Sequence, residues 1–106
     1  MGRGIYYKKE KLIIKNKVTL NIDKDIVCLS GYHFGKSIYC SQVKGNIDIS
    51  KNCNIEIPTN VKLITSSFVQ GFFSDIIDEI GLLATEERFH IIHENTLLSK
   101  SVMNKL

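Results

Sequence analysis

Three cysteines and three histidines are the first residues to weigh for chemistry. Cys28, Cys40 and Cys53 are an odd set without a Cys-x-x-Cys pair. That pattern suggests neither a disulfide framework nor a zinc knuckle, and free thiols fit a reducing cytosol. A cysteine activated by His33 is the nucleophile pair that composition permits. No elbow-like motif surrounds any of the three, so they read as small buried residues. His90 and His93 stand three apart in a stretch with strand character. An odd separation on a strand sends side chains to opposite faces, away from a shared metal. No catalytic set, metal site or cofactor is expected.

Gly31-Tyr32-His33-Phe34-Gly35-Lys36-Ser37 ends as a phosphate loop does. The full Gly-x-x-x-x-Gly-Lys-Ser spacing needs glycine at position 30, where Ser30 stands. The segment reads as a tight helix start, whose free amides offer at most a weak anion site. Thr65-Ser66-Ser67 is more informative. Capping explains one hydroxyl or two. Three in a row at an exposed helix start also form a phosphorylation site, where a phosphate would meet the positive helix end.

Charge is unevenly placed. Residues 1–17 hold Arg3, Lys8, Lys9, Lys11, Lys15 and Lys17 against Glu10, a net +5 within a chain total of +3. This is either a solvated, lysine-protected strand edge or a contact for phosphate or an acidic partner. Tyr6 and Tyr7 make no interleaved aromatic platform for bases.

The elements that must position these residues follow from hydrophobic period. Residues 5–7, 12–15 and 18–22 are strand-like, with Val18, Leu20 and Ile22 alternating and a turn at Asn16-Lys17. His33 to Val43 reads as a helix ended by Gly45-Asn46. Ile47 and Ile49 alternate, as do Ile55 and Ile57, with a turn at 50–52 and Pro58 as a stop. Val61, Leu63 and Ile64 form a short apolar bridge. Phe68, Val69, Phe72, Phe73, Ile76, Ile77 and Ile80 make a broad apolar helix face of about four turns. Thr65 or Ser66 caps its start, and Gly81 its end. Phe89 to His93 reads as a buried strand. A last helix starts near Asn95-Thr96, with Leu97, Leu98, Ser101 and Val102 on one stripe. Strand and helix alternate from residue 18, which implies a small α/β domain: a mostly parallel, mixed sheet with about three helices and an extra N-terminal strand or hairpin. Residues 1–17 are its basic leading segment and 18–106 its body. At 106 residues it is one domain with 43% apolar residues, which argues against disorder. No apolar run is long enough to span a membrane, and no signal peptide is expected.

The stretch Leu29 to Lys36, then Asn54 to Val61, Ile64 to Val69, and Phe89 to His93 with Asn95, resembles a STAS-like family of prokaryotic proteins of unknown function. The likeness covers roughly residues 18–106. More distantly the chain is similar to the STAS domains of anti-sigma factor antagonists. In those an Asp-Ser-Ser-Gly segment opens the corresponding helix, and a GHKL-type kinase phosphorylates the second serine. By position Thr65 stands for the Asp, Ser66 for the first serine and Ser67 for the phosphorylated one. Phe68 replaces the glycine, and Gln70-Gly71 stand where STAS-like relatives often carry acidic residues. The resemblance implies a non-enzymatic regulatory module, and the cysteine usage a cytoplasmic one. It would bind a GHKL-type ATPase or other regulator through Gly31, Thr65, Ser66, Ser67, Phe68 and Gln70, with Ser67 or Ser66 phosphorylated. Phe68 is either a core anchor, as the apolar period favours, or a surface hot spot.

Two other classes fit the sequence. One is a nucleic-acid- or nucleotide-binding accessory protein using Lys8, Lys9, Lys11, Lys15 and Lys17. The other is a small phage- or plasmid-encoded inhibitor. The chain is expected as a monomer or homodimer.

Overall fold

A computed structural model describes residues 16–106. The strands expected at 5–7 and 12–15, and Lys8, Lys9, Lys11 and Lys15, lie outside these residues. The described chain runs β1 (Lys17–Thr19), β2 (Cys28–Leu29), α1 (Tyr32–Ile38), a π-helical turn (Tyr39–Val43), β3 (Cys53–Glu56), β4 (Leu63–Ile64), α2 (Ser66–Ile80), α3 (Leu82–Arg88), β5 (Phe89–Ile92) and α4 (Thr96–Met103). The α/β architecture read from the alternating periods is the one observed. The described residues hold four α-helices where about three were expected, and their strand pairs are all parallel.

Parallel pairing needs crossovers, and the helices supply them. The main sheet has the order β1-β3-β5, and β2 and β4 form a separate pair. Register in the main sheet lines up Val18, Ile55 and Ile91. That row faces the helices and belongs to the core or packs on it. The flanking rows, Lys17-Asn54-His90 and Thr19-Glu56-Ile92, take the other face and are exposed or half-buried. Period two along each strand sets this division.

The broad apolar stripe of α2 fills the centre. Its phenylalanines extend an aromatic chain from α1 to β5. Phe34 meets Phe68 edge-on at 5.6 Å, Phe72 meets Phe73 at 4.9 Å, and Phe73 meets Phe89 at 5.6 Å. Helices α1 and α2 cross closely because glycine stands at both contact points. A Cβ on Gly35 would overlap the Phe68 carbonyl, and one on Gly71 the Tyr32 carbonyl. Only hydrogen side chains allow this approach.

Three local readings are corrected. Ile47 and Ile49 do not form a strand. Asn16, buried and at φ +44°, donates from Nδ2 to the Asp48 and Asn52 carbonyls at 3.0 and 2.7 Å. The Asp48 N–H donates back to Asn16 Oδ1 at 2.8 Å, so the segment's peptide groups are held in a turn. β1 ends at Thr19, and Asn21 is instead bridged by the Gln42 amide, which pairs with both its N–H and its carbonyl. The helix expected at 33–43 is α1 followed by the π turn. Helix α3 was not read from the sequence, nor was the short strand β2. On α4, Leu98 and Val102 are buried as expected, whereas Leu97 is 76% exposed.

Candidate functional site

The residues the sequence singled out at 31 and 65–70 converge. β4 pairs with β2, and the Thr65 N–H donates to the Leu29 carbonyl at 2.9 Å, so the segments leading into α1 and α2 leave the small sheet side by side. Thr65 is the N-cap of α2: its Oγ1 accepts from the Phe68 N–H at 3.3 Å. Gly31 opens α1 at φ +98°, where a side chain would be strained. Its N–H donates to Ser67 Oγ at 3.2 Å, and Ser67 Oγ lies 3.1 Å from Thr65 Oγ1. One hydroxyl therefore joins the two helix starts.

Ser66, Ser67 and Gln70 are exposed around this junction, while Gly31 and Thr65 are half-buried. Phe68 is 3% exposed and stacks 6.1 Å from Phe72, so it anchors the core. The surface is thus polar, presented by side chains on either side of a buried ring.

A polar seam continues along the α1–α2 crossing. Tyr32 Oη and Ser74 Oγ lie 3.0 Å apart, and Lys36 Nζ lies 3.4 Å from Asp75 Oδ1. The hydrogen bond to Asp75 holds the Lys36 ammonium above the ordinary lysine range. Neither contact was legible in the sequence, because partners on different helices follow from the crossing and not from local period. Lys36 and Ser37, the phosphate-loop-like pair, are both engaged: Ser37 Oγ donates to the Phe34 carbonyl at 2.9 Å. The segment is a helix start, as its spacing implied.

The remaining candidates are dispersed. His90 is exposed on the outer sheet face and His93 is 7% exposed on the inner one, the separation that odd spacing on a strand predicts. His33 is exposed on α1, edge-on to Tyr32 at 5.7 Å. Among the described residues no three His, Cys, Asp or Glu side chains assemble a metal-binding group. Cys53 is buried, and burial pushes its thiol up to about 12. Cys28 is intermediate and Cys40 exposed, which corrects the reading of all three as buried: Cys40 falls on the outer side of the π turn. Lys17 pairs with Glu56 at 3.6 Å. No helix among the described residues is long and apolar enough to cross a membrane.

No family model, curated protein or solved structure matches this chain.

Proposed function

We propose that the chain is a non-enzymatic regulatory module that binds a partner protein through the start of α2, with Ser66, Ser67 and Gln70 and the neighbouring Gly31 as the contact surface. The observation that carries this reading is the Ser67 hydroxyl, which accepts from the Gly31 N–H while lying within hydrogen-bonding distance of Thr65 Oγ1. Residues distant in sequence meet in one polar patch at two helix starts, with Ser66, Ser67 and Gln70 exposed and Gly31 half-buried. The STAS-like resemblance supplies the partner class, a GHKL-type ATPase or related regulator. It also supplies the switch, phosphorylation of Ser67 or Ser66. A phosphate there adds close to two negative charges at a helix start, which changes the surface without melting the helix.

The test is affinity capture from the native cell at moderate salt, with wild type and Ser67→Asp compared. The reading expects an ATPase or regulator on the wild type and its depletion on the variant. Equal recovery on both argues against a switch at Ser67. Recovery of nuclease-sensitive material alone moves the function to the basic leading segment.

A further inference from the structure

His93 is a buried imidazole whose two nitrogens tie three parts of the fold together. It follows β5 directly. Its Nδ1 lies 2.9 Å from the Asn95 backbone N, and its Nε2 lies 2.9 Å from the Val61 carbonyl oxygen. The chemistry of these partners fixes the tautomer. A backbone N–H can only donate, so Nδ1 is the acceptor. A carbonyl can only accept, so Nε2 carries the proton. The neutral ring satisfies both partners at once.

Asn95 is itself the N-cap of α4. Its Oδ1 accepts from the Leu97 and Leu98 N–H groups at 3.0 and 3.4 Å. Helix α4 covers the core through Leu98 and Val102. The ring therefore holds the residue that starts the C-terminal helix. Its surroundings contain two carboxylates, Glu56 at the end of β3 and Glu94 beside it, which line the same crevice of about 250 Å³. Lys17 on β1 faces Glu56 at 3.6 Å. The loop before β4 offers the ring a carbonyl, and α4 offers it the Asn95 N–H.

We infer that His93 is an acid-sensitive latch on α4: the neutral ring closes it, and a second proton opens it. Protonating Nδ1 replaces an acceptor with a donor that faces the Asn95 N–H. That bond is lost and two N–H groups oppose each other. Glu56 and Glu94 line the crevice, but neither gives the Asn95 N–H a new acceptor. The cap then shifts, and α4 loosens from its N-terminal end while the α1–α2 core keeps its packing. Acid thus exposes the face of the sheet that Leu98 and Val102 cover.

The test uses the full chain, ¹⁵N-labelled. Long-range ¹H–¹⁵N spectra read the state of the His93 ring. Amide hydrogen exchange, corrected for its intrinsic pH dependence, reads local opening. Between about pH 7.5 and about pH 5, the range in which imidazoles charge, protection at Leu97, Leu98 and Ser99 is expected to fall about tenfold, the scale of one lost buried hydrogen bond. Protection at Phe72 and Phe73 is expected to hold. At the higher pH the proton must sit on Nε2. His93→Gln, which keeps a donor for Val61 and does not titrate, is expected to flatten the response; if it does not fold, the wild-type titration decides alone. A proton on Nδ1 at neutral pH overturns the latch. So does a ring still neutral at about pH 5, or α4 protection that ignores a charged ring. Equal loss at α2 and α4 also overturns it, because the opening is then global.

Discussion

Thr65 illustrates how much one side chain decides at the residue scale. Its hydroxyl satisfies the Phe68 N–H, a donor that α2 cannot pair internally. Thr65→Ala should cost about 1 kcal/mol of stability, read as a lower denaturant midpoint at unchanged slope. Glu56 makes a pH prediction. The Thr19 hydroxyl, donating at 2.7 Å, and then the Lys17 ammonium hold its carboxyl below the usual range. Its folded-state value lies below its unfolded one. Its contribution is therefore present above the unfolded value and lost as pH falls through the folded one. Glu56→Gln should flatten the acid side of the stability profile, measured by urea unfolding from neutral to acid pH. The cysteines separate by exposure. Cys40 should react with a thiol reagent in the native state, whereas Cys53, buried with its thiol pushed up to about 12, should react only after unfolding.

At the scale of elements, the crossing of α1 and α2 is the feature most sensitive to substitution. Gly71→Ala puts a methyl group into the Tyr32 carbonyl. Overpacking of this kind costs about 1–3 kcal/mol, and more where, as here, the obstacle is backbone. Phe73→Ala should cost about 3–5 kcal/mol, since its fully buried ring links Phe72 to Phe89. Chemical denaturation checks both.

The same elements mark what the sequence could reveal. Helix α2 was legible because its seven apolar residues repeat at helical spacing between a hydroxyl cap and Gly81. The burial of Phe68, and the opposite faces of His90 and His93, follow from period alone. The turn at Ile47–Ile49 was not legible, since its cause is the Asn16 side chain some 32 positions away. Helix α3 lacks a clear amphipathic stripe: within it only Thr85 is buried, with its hydroxyl donating back to the Gly81 carbonyl at 2.7 Å. The candidate surface was half legible. The hydroxyl run at 65–67 announced it, but its union with Gly31 depends on the pairing of β2 with β4, two strands of two residues each.

At the scale of the molecule, the parallel sheet buries one face under the helices and leaves on the other two rows that are polar except at Ile92. The proposed contact surface lies elsewhere, at the starts of α1 and α2. The latch at His93 acts on α4 and leaves that surface in place. Partner binding and acid opening should therefore vary independently, and the bound complex should keep its pH response at α4.

The most direct measurement is a hydrogen-exchange footprint of the captured complex against the free chain. Protection should appear at the α1 start near Gly31 and at residues 66–70, with the outer sheet residues Asn54 and His90 unchanged. Protection confined to the outer sheet face, with the α2 start untouched, would contradict the account.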